Sequence, residues 1–212
     1  MRRRGPSGPS RPSRRLPRLA SAAALLLAFG CASARLPPPS VMSAAEAAAS
    51  YSGSLRVSVR GADLRGRTHV LVAFRRPDAV RIEIPGPSGA RLVAVAREGR
   101  LTAVLPAERA VLESASSPAE LAALLGVALG PEELMDVLVG TAPKRARSYE
   151  ARWGASLPRR VDAVLSDGTR LQATVDDAEA DLPLPAAVFD PPPHDGYRPI
   201  DAGEARRLLG GR

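Results

Sequence analysis

The chain holds a single thiol, Cys31, placed directly after Gly30 at the end of a run rich in leucine and alanine. Cleavage before a cysteine in that position would leave it as an acylated N-terminus, so its expected chemistry is covalent lipid attachment. The remaining reactive residues do not converge. His69, in a predicted strand, and His194, in a Pro-rich loop, are far apart and lack a cysteine partner, so neither a zinc cluster nor a thiol dyad is expected. No GK[ST] phosphate loop or GxSxG elbow is present. Asp176-Asp177-Ala178-Glu179 with Asp181 reads as a solvated turn, with cation binding as the alternative. Lys144-Arg145-Ala146-Arg147 reads as a solvated connector, with anionic headgroups as the alternative. The expectation is a protein with no catalytic residue, no metal and no cofactor, and not an enzyme.

Residues ahead of Cys31 explain its address. Met1 to Arg18 contains seven arginines and no acid, and Leu19 to Phe29 is apolar, the layout of an export signal over residues 1–30. The apolar run falls short of the ~20 residues a spanning helix needs. Leu27-Ala28-Phe29-Gly30-Cys31 resembles a lipobox, with small Gly30 before the cysteine but bulky Phe29 where a small residue is usual. An ordinary signal peptide or an uncleaved anchor is the alternative. Ala32 follows Cys31 where an aspartate would retain such a lipoprotein at the inner membrane, so the expected location in a diderm cell is the periplasmic face of the outer membrane.

Removing the leader also removes the basicity. The formal charge of +8 includes those seven arginines; beyond them 23 Lys and Arg face 22 Asp and Glu, a net of +1. With aromatics at 3%, stacking platforms are scarce, and nucleic acid is not an expected partner. One cysteine permits no internal disulfide, so the mature chain must be held by its core.

Residues 31–50 read as a lipidated N-terminus and linker, extended at Pro37-Pro38-Pro39 and then Ala-rich enough for a first helix. Period-two alternation begins at Leu55, Val57 and Val59, continues over Thr68 to Arg75, and is clearest at Val80, Ile82 and Ile84, separated by Arg81 and Glu83. Short strands joined by short turns follow to Glu113, an antiparallel meander. Over Arg91 to Arg97 the inward register stays open between Leu92 and Val93. Ser117-Pro118 with Glu120 marks a helix start and Gly126 its end; Pro131-Glu132-Glu133 opens a second helix that Gly140 ends. Strands resume at Ser148 to Trp153, Arg160 to Leu165 and Thr169 to Val175, around a Ser166-Asp167-Gly168 turn. Leu184 to Asp190 reads as an edge strand and 191–212 as a Pro-rich, flexible tail. The fold class is α+β.

Several of these segments together resemble the LolA/LolB-type lipoprotein carrier superfamily, in particular its LolB-like outer-membrane branch, over roughly Tyr51 to Phe189. They are Gly53-Ser54-Leu55-Arg56-Val57, Arg76-Pro77-Asp78-Ala79-Val80-Arg81-Ile82-Glu83-Ile84, the turn Gly86-Pro87-Ser88-Gly89, Leu121-Ala122-Ala123-Leu124-Leu125-Gly126, and Pro131 through Gly140. Their order and spacing carry the resemblance, since no piece is specific alone. It implies an unclosed antiparallel β-barrel over residues 51–190, a half-barrel with helices covering its concave face, and a cavity for the acyl chains of lipoproteins or lipids. The expected partners are a periplasmic carrier protein and, through lipidated Cys31, the membrane, and the expected state is a monomer.

On that reading the sheet wall is Val57, Val59, Val70, Val72, Phe74, Val80, Ile82 and Ile84, and the lid is Leu121, Leu124, Leu125, Leu134 and Leu138. Aliphatic residues at these spacings are also ordinary core. Pro87 and Ser88 stand in the turn that, in the LolB-like branch, presents an apolar residue to the membrane, an insertion a serine cannot supply. The alternative function is an envelope assembly or scaffold lipoprotein that uses the same half-barrel to bind a protein.

Overall fold

Alternation that sorts apolar from charged side chains builds one large sheet. The computed structural model describes residues 36–61 and 65–210, so the expected signal segment 1–30 and Cys31 lie outside the described residues. Residues 34–212 form one compact unit, and the sheet and the apolar clusters described below are all internal to it.

After a short helix α1 (Pro39–Glu46), six strands meander: β1 (Ser50–Arg60), β2 (Arg65–Arg75), β3 (Ala79–Gly86), β4 (Gly89–Arg97), β5 (Arg100–Leu105) and β6 (Ala110–Ala115). Two helices follow, α2 (Pro118–Leu125) and α3 (Pro131–Val139), and then β7 (Ala146–Trp153), β8 (Pro158–Leu165) and β9 (Arg170–Ala180). A single 3-10 turn (Ala186–Phe189), the two-residue β10 (Arg198–Pro199) and α4 (Ala202–Gly210) complete the described chain. The ten strands lie in the order β10-β6-β5-β4-β3-β2-β1-β9-β8-β7, so β1 joins the two meanders by pairing with both β2 and β9. All neighbours are antiparallel except β10 on β6. The sheet is not closed: β7 and β10 are its two ends, and the fold is the unclosed α+β half-barrel expected from the sequence.

Register settles the open choice in β4. Ile82 pairs with Ala94 and Ile84 with Leu92, which sends Leu92, Ala94 and Ala96 inward beneath the helices. Val93 and Val95 face the other way, yet they are also buried, because the 3-10 turn lays Phe189 on the outer face against Ala73, Ala79, Val93 and Val95. The strand is apolar in both registers because both of its faces are covered.

The helix boundaries follow the predicted signals. Ser117 Oγ accepts the Glu120 N–H at 3.2 Å, Gly126 ends α2 at φ 77°, and Gly140 ends α3 at φ 91°, a region glycine enters without a Cβ penalty. Before α3, the Glu133 carboxylate accepts the Gly130 N–H at 3.2 Å.

Four expectations are corrected. Leu184 to Asp190 is not an edge strand: Pro185 precedes the 3-10 turn, and Phe189 is buried outside the sheet. The segment 191–212 is no simple tail, since β10 pairs with β6 and α4 buries Ala202 and Ala205. The acidic run is not a turn: Asp176 through Glu179 belong to β9, where Ser54 pairs with Asp177 after a register shift, and outward-facing Asp176 takes a bidentate contact from Arg56. Residues Ala146 and Arg147 of the basic segment likewise open β7, while Arg145 pairs with Glu133 at 3.3 Å.

Candidate functional site

Inward positions of the strands and the apolar stripes of the helices meet in two clusters. The first gathers Tyr51, Leu55, Val59, Val70, Val72, Phe74, Val80, the β8–β9 residues Val161, Ala163, Leu171, Ala173 and Val175, and Met135, Val137 and Val139 from α3. Its broadest contact is Tyr51 on Phe74, rings parallel within 6° and centroids 5.5 Å apart. The second gathers Leu92, Ala94, Ala96, Leu101, Ala103, Leu105, Ala110 and Leu112 beneath Leu121 and Leu124 of α2 and Ala202 and Ala205 of α4.

The structure divides the predicted wall and lid between these clusters. Val59, Val70, Val72, Phe74 and Val80 are buried in the first, Leu121 and Leu124 in the second. Six predicted residues are only half-buried: Val57, Ile82 and Ile84 on the sheet, and Leu125, Leu134 and Leu138 on the helices. Ile84 and Leu134 pack against both clusters, so the junction runs between the β3 strand and α3. This incompletely covered aliphatic seam is the candidate site.

Two surface cavities lie elsewhere. One of about 480 Å³ is lined by Arg60, Ser148, Asp162, Arg170 and Gln172 among others, and one of about 420 Å³ by Ser116, Pro118, Glu132, Glu133 and Lys144 among others. Neither is lined by a predicted wall or lid residue. Wall and lid pack on one another, and an acyl chain at the seam requires them to part.

Polar groups beside the first cluster were missed in the sequence. Tyr51 is fully buried, and its hydroxyl has no hydrogen-bond partner among the described residues. The ring lies along β1 over Gly53, where a Cβ would fall 2.8 Å from that oxygen, so glycine makes room for it. Burial first, and then the charge of Asp177, push the Tyr51 phenol well above its ordinary range. Tyr149 is shifted the same way by burial and by Asp136, and its hydroxyl donates to the Val137 carbonyl at 3.3 Å. Arg76 lies over the Phe74 ring and donates to Asp136 at 3.1 Å, while its buried Nε has no partner. These groups hold α3 to the sheet. A sequence signal was present only as Tyr51-Ser52-Gly53, an aromatic two residues from a strand glycine.

The turn Pro87-Ser88 is exposed between Gly86 and Gly89, where the sequence placed it. Just beyond it, Arg91 donates to the Leu209 carbonyl at 2.7 Å, a cation at the negative end of α4. His69 faces outward and lies 2.7 Å from Ser54 Oγ; His194 Nδ1 lies 2.8 Å from the Pro192 carbonyl. Among the described residues no three His, Cys, Asp or Glu side chains are grouped to hold a metal. No helix among them is long and apolar enough to cross a membrane.

No protein-family model and no curated protein matches the chain. Solved structures do. The chain is similar to a LolA superfamily protein from Nitrosomonas europaea, at 11% identity over 74% of this chain and 99% of that one, with a TM-score of 0.45. It is similar to an outer membrane lipoprotein-sorting protein domain from Vibrio parahaemolyticus, at 8% identity over 70% and 93%, with a TM-score of 0.40. A DUF1329 family protein from Desulfovibrio piger is similar at 15% identity over 70% and 92%, with a TM-score of 0.39.

Proposed function

We propose that the protein is a lipid-anchored envelope protein that holds an acyl chain, from a lipoprotein or another lipid, at the seam between the sheet and α3. The observation that carries this reading is the set of half-buried aliphatics in which Ile84 and Leu134 pack against both clusters, with Val57, Ile82 and Leu138 beside the first and Leu125 beside the second. Each methylene moved from water into such a seam is worth ~0.8 kcal/mol, so a modest opening would repay the loss of wall-to-lid contact. The sheet wall and the lid then act as the two jaws of one site. In this reading Cys31 anchors the protein on the periplasmic face of the outer membrane, and a periplasmic carrier hands over the cargo. Pro87-Ser88 offers no apolar side chain of its own for insertion.

Mass spectrometry of lipid retained by the native protein, with the mass of its N-terminal peptide, tests both halves. Retained acyl chains, and at least tenfold weaker binding of a fluorescent acyl probe to Ile84→Asn and Leu134→Gln, are expected. Lipid-free protein whose probe affinity is unchanged by either substitution would overturn the carrier reading.

A second reading has its own observation. β7 is an eight-residue strand at the end of the sheet, with one edge unpaired among the described residues, which favours an assembly protein that binds a partner by strand addition. Crosslinking to a stoichiometric protein complex that survives Leu134→Gln would favour it.

A further inference from the structure

On the face of the sheet opposite the helices, strand register gathers four arginines. Arg60 of β1 stands directly across from Arg65 of β2 on one side and Arg170 of β9 on the other, and Arg67 is one pair further along β2. All four are exposed, and none of their side chains enters a hydrogen bond, ion pair or ring contact among the described residues. Like charges directly opposite on neighbouring strands repel, so the row is unfavourable to the fold taken alone.

Three of the described acids nearby are already engaged by arginines. Asp176 is taken bidentately by Arg56, four residues before Arg60. Asp162 accepts from Arg160 at 2.7 Å and from Gln172 at 2.6 Å, contacts that hold its carboxyl below the usual carboxylate range. Glu150 is met by Arg152 at 3.2 Å. Arg60 and Arg170 also line the cavity of about 480 Å³, together with Ser58, Ser148, Gln172 and the two engaged acids Glu150 and Asp162.

We propose that Arg60, Arg65, Arg67 and Arg170 form a docking surface for the phosphate headgroups of an anionic lipid membrane, with the cavity beside Arg60 and Arg170 admitting one headgroup. Guanidinium forks match phosphate oxygens two at a time, and a flat row spanning three strands, roughly 10 Å across, meets several headgroups at once. A protein partner is less suited, because its anchors need a desolvated apolar pocket, whereas the outward neighbours here are Ser58 and Gln172. The surface is separate from the acyl seam, being on the other face of the sheet, and does not depend on it.

The test uses residues 34–212, the compact unit, which lacks both the arginine-rich leader and Cys31. Sedimentation with phosphatidylglycerol vesicles should show binding that is absent with phosphatidylcholine and weakens as salt rises from about 50 to 200 mM. Each of Arg60→Gln, Arg65→Gln, Arg67→Gln and Arg170→Gln should weaken it about fivefold. The fourfold variant should lose it while keeping its circular dichroism spectrum, with a Tm no lower than the parent's, because repulsion is relieved. Acyl-probe binding should not change, which separates this proposal from the carrier reading. Equal vesicle binding by the fourfold variant, or by each single variant should the fourfold one misfold, would overturn the proposal. Displacement by millimolar inorganic phosphate would reassign the site to free phosphate, and binding to heparin without vesicle binding would reassign it to a soluble polyanion.

Discussion

The two clusters under the helices are built from different side chains. On the β1–β2–β9 side the sheet brings its own bulk, Tyr51 and Phe74 stacked at the centre, with Met135 of α3 inserted from above. On the β4–β5–β6 side the sheet offers Ala94, Ala96, Ala103 and Ala110 among its leucines and no aromatic, and the space is filled by Leu121 and Leu124 with α4 from the far end of the chain. A sheet that supplies large residues fills itself; one that supplies alanines depends on what is laid over it. The second half therefore owes its packing to a helix more than 80 residues away from β6 in sequence, while the first takes its distant residues from strands of the sheet itself and from α3.

This contrast can be broken most severely on the self-filled side. Phe74→Ala, at a fully buried ring, is expected to cost about 3–5 kcal/mol in urea unfolding, and a loss below about 1 kcal/mol would deny the stack its central place. Next in size, Ala205→Asp puts a carboxylate at a fully buried position of α4 and is expected to cost about 2 kcal/mol. Hydrogen exchange should then speed up in α4, β10 and β6 while β1, β2 and β9 keep their protection; uniform loss would mean the halves are one cooperative core. The smallest effect sharpens the comparison from within the first cluster. Tyr51→Phe removes a buried hydroxyl with no partner and should raise stability by about 1 kcal/mol, and a loss instead would reveal a partner for that oxygen, such as a bound cargo group.

Much of the fold was legible because its signals are local. Val80-Arg81-Ile82-Glu83-Ile84 alternates with the period of a half-buried strand and is one, and Ser117-Pro118 and Gly140 carry their own capping chemistry. Leu184 to Asp190 misled because a short apolar run is equally consistent with a strand and with a turn that buries one large side chain. Asp176 to Glu179 misled because charge alone reads as loop, while the strand partner is remote in sequence, Ser54 pairing with Asp177 and Arg56 reaching Asp176 across 120 residues. The predicted wall and lid were correctly read as apolar, but which of them stay half-open was not readable. Val57 and Val59 have the same type and face, and only their neighbours differ.

The amino-acid sequence by itself determined the strand faces and the helix ends, since each depends on residues a few positions apart. Only the tertiary structure decided that β1 joins two meanders, that α4 completes the second cluster and that Ile84 and Leu134 meet at the seam. It also decided that Arg60, Arg65 and Arg170 stand in one row. The physical reason is the same in each case: pairing register and packing join residues distant in the chain, and neither periodicity nor composition specifies which distant residue becomes the neighbour.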